Sequence, residues 1–471
     1  MDSPGEVYTV FGKKQKRLII FVASLGAFFS PISGNIYYPA LNSMAASLAP
    51  LFIAGFADSA GRRPAYLICF VVYIAANIAL ALQKNYAALL ILRCVQSSGS
   101  SATGALANAV IADISAFIGQ SLGPVLGGVL SAFLGWRSIF WFLTIFAGVF
   151  LIPYILFVPE TCRSIVGNGS IPPPALNRTL LQFYAPSKAP NSPESTITHP
   201  TPPSQPIRFP NPLSTLKICL EKEASTLLIY AGIIFAGLAT IATGLPSQFH
   251  EIYNFNDLQI GLSCIPMGVG SCLSAITVGK IADWNYRRHA TRLGLSVDKT
   301  RHQDLSEFPI ETARLEIAVP LVCLASATLI AYGWVLQSAQ PLAAPLILLF
   351  FVGFAGSGAF SVVSTLLVDV CPESAGRATA ANNLVRCFLG AGASAVVGPM
   401  LERMGKGWTY TFVGGVWIVF VPLVLGIMRW GRGWREDKRR RGGVDDGDSN
   451  GSAGVEMGTK GGCEKVAEEK V

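Results

Sequence analysis

GQSLGPVLGG, residues 119–128, decides what kind of helix this chain is built from. It lies in an apolar run and places glycine at 119, 123 and 127, four apart, with Gly128 and Pro124 beside them. Positions four apart share one helix face. A face without side chains lets a second helix approach until the backbones nearly touch, the small-xxx-small packing of membrane helices. Pro124 removes one backbone donor and predicts a bend. In water each glycine would cost a helix about 1 kcal/mol against alanine; in lipid, neighbouring helices compensate. The stretch therefore reads as a close-packed, bent, membrane-spanning helix.

The composition agrees. Of 471 residues, 51% are hydrophobic and 14% charged, against about 25% charged in soluble domains, and mean hydropathy is +0.47. Many runs reach the roughly 20 apolar residues that a bilayer crossing needs. An all-α, multi-pass membrane protein follows, and a soluble enzyme is excluded. The net charge of +8 is no nucleic-acid signal, because the basic residues sit between and beyond the apolar runs. The ten cysteines show neither CxxC nor metal spacing. Residues 1–17 are polar and basic, and the run after them is too long for a signal-peptide core.

Lys13, Lys14, Lys16 and Arg17 precede an apolar segment at 18–38, which places residues 1–17 in the cytosol. Asn35 either faces a cavity or another helix, or belongs to an interfacial turn with Tyr37 and Tyr38. Residues 44–57 are apolar and contain Pro50, but they reach only about 21 Å across a core of roughly 30 Å. They read as a truncated second helix. Asp58-Ser-Ala-Gly61-Arg62-Arg63-Pro64 follows as a short loop. Asp58 would cap a helix N-terminus or pair with an arginine, while Arg62 and Arg63 hold the loop at the anionic cytosolic leaflet. A loop that only sets topology is the plainer alternative.

Further spans are expected at 65–83, 86–112, 115–134 and 138–158. Arg93 and Gln96 fall inside the second of these. A mid-helix arginine costs on the order of 3 kcal/mol unless it faces water or a partner. Arg93 is therefore a functional candidate, with snorkelling toward the outer end as the alternative. Residues 18–158 form the first helix bundle. Residues 159–223, rich in Pro, Ser and Thr, cannot bury enough apolar surface to fold and read as a cytosolic linker. Sequons at Asn168 and Asn177 would be silent on that side.

The second bundle, 224–430, repeats the pattern with spans at 225–247, 257–282, 317–337, 343–369, 378–401 and 409–430. Asp283, Arg287 and Arg288 follow its second span as Asp58 to Arg63 follow that of the first bundle, the recurrence expected of a two-repeat transporter. Asn382-Asn-Leu-Val-Arg386 opens the eleventh span. Residues 431–471 form a basic, glycine-rich cytosolic tail that reads as disordered. Of the 36 Lys and Arg, Lys84, Arg137, Arg403 and Lys406 fall in loops placed outside and Arg93 in the membrane, leaving 31 inside. That bias fits two cytosolic termini.

Gly119-Gln-Ser121-Leu-Gly123 also matches G-x-S-x-G, but that motif needs a strand–turn–helix setting and a partner histidine. The four histidines lie in polar loops, and neither a metal cluster nor a phosphate loop is present. An enzyme reading has no residues to carry it.

Several stretches together resemble the major facilitator superfamily, and within it the quinidine-resistance branch of the twelve-helix fungal drug:proton antiporters. They are NIYYPAL at 35–41, DSAGRRPAY at 58–66, LRCVQSSGS at 92–100, GQSLGPVLGG at 119–128, GWRSIFWF at 136–143, PETCR at 159–163, DWNYRR at 283–288 and AANNLVRC at 380–387. They cover most of 18–430. The resemblance implies the major facilitator fold, two six-helix bundles related by a pseudo-twofold axis. It matches Asp58, Gly61, Arg62 and Arg63 to a loop that latches the outward-facing state, and Arg93 to a fourth-helix arginine linked to proton coupling. Gly119, Gly123, Pro124, Gly127 and Gly128 match the antiporter motif.

The sequence departs from that pattern in three places. Ala54 stands where the latch loop opens with glycine. Most of the second helix and the start of the fifth, near 113–117, are missing by comparison, so 11–12 helices are expected. The implied work is efflux of small organic or cationic compounds by rocking between access states, driven by the proton gradient without cofactor or metal. Arg93 would tune a proton site, and Asn35 and Gln96 would line a cavity between the first, fourth, seventh and tenth segments. The expected partners are a small-molecule substrate and the bilayer, with a monomer in the plasma membrane. A metabolite uniporter or importer, and a non-transporting membrane protein, are the alternatives.

Overall fold

The computed structural model describes residues 61–106, 110–160, 218–292, 308–371 and 375–431, with isolated positions 15, 18, 21, 22, 29, 56, 174, 177–179, 433 and 434. For 101–106, 110–118, 120, 121 and 375–377 only the backbone is described. Asn35, Asp58, nearly all of the 44–57 segment and of the C-terminal tail, and most of the 159–223 linker lie outside the described residues.

Among the described residues the chain is helical and without strands. The first half supplies α1 (Arg62–Leu82), α2 (Tyr86–Leu106), α3 (Val110–Leu134) and α4 (Arg137–Phe157). The second supplies α5 (Lys222–Tyr253), α6 (Asp257–Ser263), α7 (Ile265–Arg292), α8 (Ile310–Gln337), α9 (Ala343–Val370) and α10 (Ala375–Val419). Among the described residues, seven helices are long and apolar enough to cross a membrane. Such helices keep every backbone hydrogen bond inside the segment, as lipid demands.

Three boundaries differ from expectation. Arg62 and Arg63 are the first residues of α1 and not loop residues. α7 continues to Arg292, so Asp283, Arg287 and Arg288 are helical and exposed, where charge alone suggested a loop. α3 has 25 residues, runs through Pro124 and begins at Val110, ahead of the expected span 115–134. α10 contains the expected span 378–401 and continues to Val419, into the expected span 409–430. At Gly405 the backbone takes φ 77° and ψ 167°, a left-handed φ that glycine adopts at little cost. Gln337 Oε1 accepts from the Gly407 N–H at 2.7 Å and pins that corner.

Each half has its own core. In the first, Phe29 is fully buried, with its ring 5.1 Å from Phe70, 4.7 Å from Phe146 and 5.2 Å from Phe150. α1 and α4 are held around this aromatic cluster, and α2 packs on α1. In the second half, α10 packs on α5 and α8, and α9 on α7 and α8. Trp417 is buried against Gly237 and donates to the Ile233 carbonyl at 3.0 Å. The halves meet where α3 lies on α6 and α7.

The N-cap position of α1 offers no side-chain cap of its own. Gly61, the N-cap residue, has φ 105° and no side chain. The carboxylate of Glu160 fills the gap: its Oε1 accepts from the Arg62 N–H and its Oε2 from the Arg63 N–H, both at 3.0 Å. A carboxylate across two orphan N–H groups meets the positive end of the helix dipole. Glu160 is buried at 1% exposure and Asn177 at 2%, and a Cβ on Gly61 would collide with both. At these positions the linker is packed against the bundle. Glu160→Ala should lower stability by about 1–3 kcal/mol, the cost of leaving buried donors unmet. Thermal unfolding of the detergent-solubilised protein should show the loss, and Glu160→Gln, which keeps one acceptor, should lose less.

Candidate functional site

Arg93 and Gln96 lie one turn apart on α2 and face the same way. The Arg93 Nη1 donates to Gln96 Oε1 at 2.7 Å, and Gln96 Nε2 donates to Asn77 Oδ1 at 2.6 Å. Asn77 Nδ2 in turn donates to the Tyr73 carbonyl at 2.8 Å. The guanidinium stands 5.3 Å from the centre of the Phe140 ring on α4, a cation–π contact. Arg93 and Gln96 are each 1% exposed and Asn77 is fully buried. Arg93 therefore does not snorkel. It sits about 10 Å from the start of α2 and joins α1, α2 and α4. Gln96, expected at a cavity wall, is buried in the α1–α2 seam. Asn77 was missed by sequence reasoning, although a lone amide inside the apolar run 62–82 was the available signal.

The glycine-rich stretch sits at the junction of the halves. Gly119, Gly123, Gly127 and Gly128 are all buried. A Cβ on Gly128 would lie 2.5 Å from the Asp257 carbonyl oxygen, and one on Gly261 would lie 2.7 Å from that of Pro124. α3 and α6 thus touch backbone to backbone through a glycine from each side. Ser131 Oγ donates to Asp257 Oδ2 at 3.2 Å one turn further along.

The residues assigned to the latch are placed as follows. Gly61 is buried at the N-cap, Arg62 is exposed, and Arg63 is buried and donates from Nη2 to the Ile155 carbonyl at 2.7 Å, a cation at the C-terminal end of α4. Their described partners are Glu160 and Ile155 of the same half. In the second half the residues packed at the matching end of α7 are neighbours of the expected three. Asn285, on α7, donates to the Ala313 carbonyl at 2.8 Å and to Glu316 Oε2 at 3.0 Å. His289 pairs with the same oxygen at 3.0 Å. Asp283 and Arg287 face outward, and Arg288 stacks over Trp284 at 5.7 Å.

The parallel pair α5 and α10 opens at one end into a cavity of ≈ 510 Å³ whose polar lining includes Gln248, Glu251, Gln337, Glu402 and Lys406. Lys406 Nζ pairs with Glu251 Oε2 at 3.0 Å. Deeper in, Gln248 Nε2 donates to the Tyr410 hydroxyl at 2.8 Å. Among the described residues no group of His, Cys, Asp and Glu is arranged to hold a metal ion.

Truncating one member of the buried amide chain strands the others. Asn77→Leu or Gln96→Leu alone should each destabilise by about 1–3 kcal/mol. The double variant should cost less than the sum, a coupling that a double-mutant cycle on thermal unfolding measures.

Residues 37–395 match the Major Facilitator Superfamily. MFS-type transporter phiD, from a fungal species, is 43% identical over 93% of this chain and 71% of its own length. MFS-type transporter tstD of Talaromyces stipitatus is 38% identical over 92% of this chain and 85% of its own. Citrate exporter 1 of Aspergillus niger is 33% identical over 92% and 89%. The crystal structure of the human organic anion transporter MFSD10 (TETRAN) superposes with a TM-score of 0.53 at 17% identity, covering 87% of this chain and 99% of that one. That last likeness is one of fold. Apolar spanning helices, two packed halves and these matches make the chain a multi-pass membrane transporter and not an enzyme, and it belongs to the major facilitator superfamily.

Proposed function

We propose that the chain exports small organic compounds in exchange for protons by alternating access, as a member of the quinidine-resistance branch of fungal drug:proton antiporters. It works as a monomer in the plasma membrane with both termini in the cytosol. The observation that carries this reading is the side-chain-free contact of Gly128 and Gly261 between the halves. Interdigitated side chains would lock that seam, whereas bare backbones let one bundle roll on the other about a fixed site. The fit of residues 119–128 to the antiporter motif supports exchange, and a relative named as an exporter supports the outward direction.

Arg93 supplies the coupling. A buried cation favours the ionised form of any carboxyl brought near it and so biases proton release. Gln96 and Asn77 hold the guanidinium in place. Asn35 completes the cavity wall. Asp58 closes the latch with Gly61, Arg62 and Arg63, and Asp283, Arg287 and Arg288 act as its second-half counterpart.

Uptake of a fluorescent organic cation into inverted vesicles, driven by an imposed proton gradient, tests the reading. A protonophore should abolish accumulation, and Arg93→Ala should cut it about tenfold or more, a loss of about 1.4 kcal/mol. Uptake indifferent to both would reject proton coupling. Gly128→Leu should insert normally yet transport poorly, because its side chain would enter the α6 backbone; full activity in that variant would reject the rolling seam.

A further inference from the structure

Arg386 lies on α10 about 16 Å from the start of that helix, near the middle of a bilayer core of about 30 Å. Its guanidinium is held by two aromatic rings, 5.1 Å from the centre of Phe235 on α5 and 5.9 Å from that of Phe360 on α9. The rings are 5.8 Å apart. Among the described residues no carboxylate is within ion-pair distance of Arg386, and its buried Nε makes no hydrogen bond. The Cys387 thiol beside it is a weak partner. Arg314 and Lys406, by contrast, each have a carboxylate, Asp369 at 3.1 Å and Glu251 at 3.0 Å. The residue as a whole is half-buried, and its two ring contacts leave the Nε edge of the guanidinium without an acceptor.

The surroundings give that edge a route. α10 presents Asn382, Arg386, Gly390 and Ser394 at four-residue steps, a slowly winding stripe of polar and small residues. Asn382 Nδ2 donates to Ser364 Oγ at 3.2 Å, and Thr243 Oγ1 on α5 donates to Ser394 Oγ at 3.0 Å. One turn beyond, Ser247 and Gly398 line the ≈ 510 Å³ cavity, a volume in the range of small-molecule sites. The stripe thus links the mid-depth cation to a cavity at the helix ends.

We propose that Arg386 is a substrate-binding residue and that the substrate carries a carboxylate. The planar guanidinium takes the two carboxylate oxygens side by side, while Phe235 and Phe360 hold its plane. This rests on the export reading and narrows its substrate to organic acids.

Full-length protein in nanodiscs tests it, with citrate, malate and benzoate as carboxylate probes and tetraethylammonium as the cationic control. At least one carboxylate should raise the melting temperature of the wild type. Arg386→Gln should weaken that carboxylate about tenfold or more, the loss of a charge-assisted pair, with Arg386→Lys between the two. The double variant Phe235→Leu, Phe360→Leu keeps the charge and should weaken binding severalfold, so the claim stays testable should Arg386→Gln not fold. A wild type unmoved by every carboxylate, or carboxylate affinity unchanged in these variants, overturns the proposal. Vesicles that accumulate the fluorescent cation while no carboxylate binds would overturn the acid site and leave export standing. Carboxylate binding that depends on Arg386, in vesicles that accumulate neither the fluorescent cation nor that carboxylate, would do the reverse.

Discussion

Two carbonyl oxygens set how closely the two halves of this molecule approach. Those of Asp257 and Pro124 occupy the space that side chains would need at Gly128 and Gly261. In lipid there is no hydrophobic force between apolar helices, so association depends on how near the backbones come. A methyl group on either glycine would push α3 and α6 apart by a sizeable part of a contact distance. The order of the bundle follows from that junction. α6 runs into α7 through Cys264, whose backbone stays in the right-handed helical region (φ −79°, ψ −18°), and α3 lies along both.

The second requirement is that polar groups inside the bundle find partners in protein. Arg93, Gln96 and Asn77 meet it as a chain with each link at 2.8 Å or less. The second half meets it in smaller units, such as Ser271 with Ser357 at 2.7 Å and Gln248 with Tyr410. These units sit on helices already held by apolar packing, so they fix rotation and register more than they add cohesion.

Much of this was legible in the chain itself. Bilayers demand long apolar runs and tolerate glycine faces, and both are visible one residue at a time. Positive charge marked the helix ends for the same reason. The partners of those residues were less visible. Glu160 caps α1 across a separation of 97 residues, and no local pattern marks a carboxylate at the head of a proline-rich stretch as a helix cap. Asn285 and His289 were passed over for the charged Asp283, Arg287 and Arg288, because sequence shows charge and not the side of the helix that meets α8. Helix α3 begins at Val110, five residues before the span expected from hydropathy, because a helix can carry Asp113 near its end without breaking.

Asn177 opens the tripeptide Asn-Arg-Thr, an acceptor for N-linked sugar. In the folded chain its amide is wedged against Gly61 and leaves no room for a saccharide. The seated fold therefore has no place for a glycan on this asparagine, whichever compartment it occupies. Carbohydrate on that asparagine would mark a polypeptide in which the head of α1 had never been seated, which turns one buried amide into a tag for chains that quality control should discard.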